Sequence, residues 1–173
     1  LWNVPELGHI VAVDPKGRWI ATGGGFPQPP IRWPLLDAAP GQVVRRVDID
    51  DNAPPDPRIG FNPSYIGEIA FTPDGSRMVS THYYGTLGIW DPETGKEVAR
   101  SRGLPQGFSS LAISPDGRLI GLGRPDRKIS IYEVASSKEV LTLPGHDSQV
   151  RDVVFTRDGR GIVGNADLAP MLW

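Results

Sequence analysis

Residues 69–101 read IAFTPDGSRMVSTHYYGTLGIWDPETGKEVARS, and this stretch decides the fold. The apolar run from Ile69 stops at Pro73-Asp74-Gly75, and a second apolar run starts at Met78. A proline there supplies the fixed φ of a type I turn and the glycine two places later accepts a left-handed φ, so the unit reads as a β-hairpin. A third run closes at Trp90-Asp91, and Pro92-Glu93-Thr94-Gly95 turns into a fourth run, KEVARS. No apolar period of 3.6 residues runs for ten residues anywhere in the chain, and glycine or proline interrupts nearly every candidate helix. The stretch therefore predicts four antiparallel strands.

Working outward, the same pattern recurs. IVAVDPKGRWIA starts at Ile10, LAISPDGRLIGL at Leu111 and VVFTRDGRGIVG at Val153, and the turn glycines Gly17, Gly75, Gly117 and Gly159 are 58, 42 and 42 residues apart. Tyr132-Glu133 followed by Ala135-Ser136-Ser137 repeats the second signature before KEVLTL, and both Gly75 to Asp91 and Gly117 to Glu133 span 16 residues. In the first unit Gly17 to Asp37 spans 20 residues before QVVRRV, an insertion of four. The last unit stops at Met171-Leu172-Trp173, one residue short of the acidic slot, so its fourth strand is expected to be missing. The expected units are 1–47, 65–101, 107–143 and 147–173.

The chain has 173 residues, 39% apolar and 22% charged, with 21 glycines and 18 prolines, which fits an ordinary globular chain built from short strands and many turns. A formal net charge of −2 supplies no basic field for nucleic acid or an anionic membrane, so neither is an expected partner. The absence of cysteine excludes disulfides and thiolate zinc sites but is silent on compartment. No apolar run approaches the roughly 20 residues of a membrane span, and the first residues lack the pattern of a signal peptide. A cytoplasmic location is the expectation, or a periplasmic one if a signal lies outside this sequence.

These repeats resemble the WD40-repeat family over essentially the whole chain. The resemblance implies an all-β fold, a β-propeller of four blades, each a four-stranded antiparallel sheet, either alone or as part of a larger ring. Rings of this family are commonly larger, so two copies forming one ring, or association through an uncovered blade edge, is also expected. In the last unit Gly145-His146 precedes the first strand, Asp167 lies in the turn after the second, and Trp173 follows six residues later. By resemblance, His146, Asp167 and Trp173 would form the hydrogen-bonded network that ties loop to strand, although GIVGN from Gly161 lacks the family's usual second-strand hydroxyl. Asp126 stands six residues before Tyr132 without a preceding Gly-His, and Tyr84 takes the aspartate's place before Trp90, so these repeats are degenerate. Their PDGR-rich and proline-rich style resembles bacterial WD40 regions attached to signalling or effector domains.

In a four-stranded meander successive strands alternate in direction. The turns after the first and third strands therefore share one face, and the loops after the second and fourth share the other. The extra residues of the first unit (Gly23 to Pro30, with Phe26 and Gln28) and the long segment from Asp48 to Ser64, next to Tyr65, both fall on this second, loop face. Loops on a rigid scaffold are common binding surfaces, and the resemblance implies a non-catalytic protein-interaction scaffold with a protein or peptide partner. The candidate contact residues are Phe26, Gln28, Tyr65, His82, Tyr83, Tyr84, Gln106, Phe108, Arg124, Arg127, Gln149 and Arg151. Among them, Tyr83 and Phe108 also read as packing residues.

Catalytic and metal chemistry finds little support. Asp48, Asp50, Asp51 and Asn52 cluster oxygen ligands but lack the glycine and distal glutamate of a calcium loop. Three histidines, at 9, 82 and 146, fall on different units and form no zinc set, which leaves only His82 free for function. Gly23 to Gly25 has neither a following helix nor a lysine-serine pair, and Ser109 and Ser110 lack a nucleophile turn. The expectation is no enzyme activity, no cofactor and no metal; the alternative is a propeller enzyme or a periplasmic propeller binding a small molecule or metal.

Overall fold

The computed structural model describes residues 10–23, 32–39, 42–48, 66–82, 85–167 and 169–173. Within them the chain forms four antiparallel meanders and no helix. The first sheet runs β1 (Ile10–Val13), β2 (Trp19–Gly23), β3 (Arg32–Asp37) and β4 (Val43–Asp48). The second contains β5 (Ile66–Phe71), β6 (Met78–His82), β7 (Thr86–Trp90) and β8 (Glu97–Ser101). In the third are β9 (Ser110–Ile113), β10 (Leu119–Gly123), β11 (Ile129–Glu133) and β12 (Glu139–Leu143). The fourth has three strands, β13 (Asp152–Phe155), β14 (Ile162–Asn165) and β15 (Met171–Leu172).

The first turn of each sheet has the geometry that its sequence dictates. Gly17, Gly75, Gly117 and Gly159 adopt φ of 66°, 67°, 72° and 70°, and each donates its N–H to the carbonyl three residues earlier. A side-chain device reinforces three of these turns. The hydroxyls of Thr72, Ser114 and Thr156 donate to Asp74, Asp116 and Asp158 at 2.6 Å and accept the N–H five residues on. The carboxylates also accept the N–H of Ser76, Arg118 and Arg160. These bonds favour the anion, so Asp74 is lowered to about 2 and Asp116 and Asp158 lie below their ordinary value. The sequence showed the aspartate and glycine; the hydroxyl that precedes them is the additional signal.

Sheets pack face to face through three cores. Ala21, Leu35 and Val47 of the first meet Ile69, Met78 and Trp90 of the second; Val79, Leu87 and Ile89 of the second meet Ile120, Leu122 and Tyr132 of the third. Ile129 and Ile131 of the third meet Val150, Val153 and Ile162 of the fourth. Side chains alternate between the two faces of a strand, so a sheet covered on both faces buries every residue. That is why β6 and β7 are buried throughout, whereas β12 is mostly exposed and β8 exposed or half-buried, both being last in their sheets.

The inner strands β1, β5, β9 and β13 lie side by side in that order and are latched at one repeated position. A Glu68 carboxylate oxygen accepts the Leu111 N–H at 2.6 Å, and one repeat later Ser110 Oγ accepts the Val153 N–H at 3.0 Å. Further contacts join the blades: Arg18 donates to the Gly75 carbonyl and to Glu93, Arg45 to the Pro92 carbonyl, and Ser101 Oγ, at the end of β8, to the Ser137 carbonyl. Arg18 thus touches a first turn and a third turn of the neighbouring sheet, which places both kinds of turn on one side.

Candidate functional site: the loop face

On the opposite side three connections are drawn together around the end of β10. Ser109 N–H donates to the Gly123 carbonyl at 3.2 Å, Val150 N–H to the Arg124 carbonyl at 3.2 Å, and Ser109 Oγ to the Val150 carbonyl. The loop before β9, the turn after β10 and the loop before β13 therefore form one surface held by backbone bonds. Gln106, Arg127, Gln149 and Arg151 are exposed on it. Arg151 Nε donates to Asp167 at 2.6 Å, a bond that holds the Asp167 carboxyl below its ordinary value.

Three expected contact residues belong to the interior instead. His82 is 1% exposed, because it closes the fully buried β6, and its Nε2 lies 3.0 Å from Ser80 Oγ. Phe108 is half-buried against the second core. Arg124 is drawn inward by acceptors on three elements: it donates to both carboxylate oxygens of Asp126 and at 2.9 Å to Ser130 Oγ, and lies 3.8 Å from Glu139. Ser130, Tyr132 and Thr142 all donate to Glu139, and these bonds hold its carboxyl below its ordinary value although burial opposes them. Burial also raises the Tyr132 phenol to about 12, with Glu139 adding to the effect. Phe26, Gln28, Tyr65, Tyr83 and Tyr84, like both insertions, lie outside the described residues.

The network expected at His146, Asp167 and Trp173 takes another form. The rings of His146 and Trp173 meet in a tilted contact at 4.9 Å and 59°, but Trp173 Nε1 donates to the Pro144 carbonyl at 3.3 Å and Asp167 is engaged by Arg151. His146 Nε2 is buried and has no hydrogen-bond partner among the described residues. A different network, without the aspartate and with a histidine from the second strand, appears in the second sheet, where Trp90 Nε1 donates to Ser80 Oγ at 2.9 Å, with His82 on the same hydroxyl. Gly88 makes this possible: it faces Ser80 across the ladder, and the indole of Trp90 fills the space of its absent Cβ. In the fourth sheet Gly164 replaces the serine and Met171 the glycine, so neither the acceptor nor the passage exists.

At the start of the inner strands Glu68, Ser110 and Asp152 occupy equivalent places. Burial pushes the Glu68 carboxyl up, nearby Asp152 adds to that, and the Leu111 N–H works against it. Ser110 Oγ donates to Asp152 at 2.9 Å while accepting the Val153 N–H, so its bonds serve the junction between strands. No group of three or more histidine or acidic residues suited to a metal occurs among the described residues.

The turn after β10 carries one unusual backbone. Arg127 has φ of 69°, whereas the equivalent residue of the second sheet, ten positions after the turn glycine in both, is Gly85 with φ of 81°. Gly85 is required by contact, since a Cβ there would strike the Leu104 carbonyl. A left-handed arginine costs on the order of 1 kcal/mol and is unusual without compensation. Ser137, the other non-glycine with positive φ, has its compensation in the bond from Ser101. Arg127 is exposed and makes no hydrogen bond or ion pair among the described residues.

Comparison with known proteins agrees with this architecture. The WD domain, G-beta repeat family matches residues 137–173. The U3 snoRNP-associated protein-like YAO of Arabidopsis thaliana is 30% identical over 52% of this chain and 22% of its own length. An uncharacterized WD repeat-containing protein of Synechocystis is 30% identical over 57% of this chain and 28% of its own, and human pre-mRNA-processing factor 17 is 28% identical over 59% and 18%. The chain spans less than a third of the length of each of these relatives. The family match over residues 137–173, the repeated strand–turn–strand units and the sheet order together support a WD40-repeat β-propeller architecture for this chain.

Proposed function

We propose that this chain is a non-catalytic protein-interaction module whose contact surface is the loop face of the third and fourth blades. The observation that supports this reading is a loop surface of the third and fourth blades held together by backbone hydrogen bonds. Elsewhere Arg18, Arg45 and Ser101 join one blade to the next. On the loop face Gln106, Arg127, Gln149 and Arg151 project from loops that their own backbones already fix. Side chains presented on a pre-ordered backbone lose little entropy on binding, and arginine is among the residues that anchor interfaces. The names of several relatives point to assemblies with other macromolecules, which fits a partner-binding role.

The test is affinity capture with the chain as bait and mass spectrometry of what is retained. A Gln106→Ala, Gln149→Ala, Arg151→Ala variant is expected to stay folded, with only a small drop in melting temperature from the lost exposed Arg151–Asp167 pair, and to lose the partner. An Arg118→Ala variant on the turn face, where the Arg118 side chain is 84% exposed, is expected to keep both. Equal capture by the loop-face variant would overturn the reading. Replacing residues 53–63 by a short linker extends the same comparison to the insertion outside the described residues.

A further inference from the structure

Resting on that reading, we infer that Arg127 is the anchor of the loop face and that the partner meets it with an acidic peptide segment, through carboxylates. Arg127 stands in a left-handed position where the second blade has glycine, so the fold does not select an arginine there. Its turn contains one carboxylate, Asp126, which is already shared by Arg124 at 2.6 Å and Lys128 at 3.8 Å. On the adjoining loop Arg151 is satisfied by Asp167, and Asp147 makes no ion pair with Arg127. The tip therefore presents an uncompensated guanidinium, exposed, on a backbone pinned by the bond from Arg124 N–H to the Lys128 carbonyl at 3.0 Å. A planar guanidinium with its donors unspent matches a carboxylate in two parallel hydrogen bonds, which lysine does not reproduce.

The inference separates the two properties of this residue, since the side chain that binds is the one that strains the turn. Arg127→Gly is expected to raise the melting temperature by about 2 °C, relief of strain being partly offset by the freedom that glycine gives the unfolded chain. In anisotropy titrations with a fluorescein-labelled decapeptide carrying four glutamates, the same variant is expected to bind about tenfold more weakly, and Arg127→Lys about threefold. The all-glutamine decapeptide is expected to bind more weakly than its glutamate counterpart to the wild-type chain. Equal binding of the glutamate peptide by wild type and Arg127→Gly overturns the inference, as does a lower melting temperature for that variant. Tighter binding of a counterpart with phosphoserines in place of the glutamates overturns the assignment to carboxylates. If partner capture fails in the Gln106, Gln149, Arg151 variant but survives Arg127→Gly, the loop face stands as the contact surface and Arg127 is not its anchor.

Discussion

The second and fourth blades hold the same two aromatic residue types, a tryptophan at the end of the third strand and a histidine, and use them differently. In the second, Trp90, Ser80 and His82 are joined by hydrogen bonds inside a strand pair that is buried throughout. In the fourth, His146 lies in the space a Cβ at Gly164 would need and makes a tilted ring contact with Trp173, which sends its donor to Pro144. The difference comes from two small residues. A hydroxyl on the second strand and a glycine facing it on the third let the indole cross the sheet; without them a ring fills the gap. A tryptophan in this slot is buried in the second blade and half-exposed in the fourth, and its bonding depends on what stands across the ladder.

The largest expected effect breaks the second blade. Trp90 is 1% exposed in the first core, with Arg100 over its ring at 5.8 Å. Trp90→Ala is expected to cost about 3–5 kcal/mol, read by urea denaturation, through the cavity it leaves. Trp173→Ala is expected to cost clearly less, because that ring is half-exposed and its hydrogen bond is at the surface. Equal losses would mean that the two tryptophans carry equivalent roles and would remove the contrast.

A sharper form exchanges the second-strand residues. Ser80→Ala leaves the Trp90 N–H and His82 without their shared hydroxyl and is expected to destabilise by about 1–3 kcal/mol. Gly164→Ser adds the hydroxyl that the fourth blade lacks, yet a Cβ there would lie 2.5 Å from His146 Nε2 and 2.7 Å from Ile129 Cδ1. It is expected to destabilise as well, by about 1–3 kcal/mol, because the ring has to move before any bond forms. A stabilised Gly164→Ser protein in the same denaturation assay would show that the His146 ring does not hold that space against a side chain.

The sequence made the scaffold legible because turns and alternation are local. Pro73, Gly75 and the strand periods specify a hairpin without reference to any other part of the chain, and the structure agrees at every turn glycine. Side-chain roles were less legible, since they depend on partners far away in sequence. His82 read as free for function because a histidine beside a loop resembles a surface residue; only the packing of the third blade against the second shows that β6 is covered on both faces. Arg124 read as a contact residue, but Glu139, fifteen positions on, draws it inward. Conversely, the strain at Arg127 is a backbone property that composition does not display, although the alignment of Arg127 with Gly85 was available as a signal.

The smallest expected effect concerns what the two blades share. Asp74 in the second and Asp158 in the fourth accept the same hydroxyl and backbone N–H bonds, which favour the anion. A carboxyl whose folded value lies below its unfolded value of 3.8 contributes stability that is complete above that value and is lost as pH falls through the folded one. For Asp74 the window runs from about 4 down to about 2. Asp74→Asn is therefore expected to lower the melting temperature slightly at pH 7 and to make no difference near pH 2, and Asp158→Asn is expected to converge in the same direction. Thermal melts between pH 7 and 2 check this. Curves for wild type and variant that stay parallel across the whole range would show that the turn is held by its glycine and hydroxyl alone, with the carboxylate as a bystander in both blades.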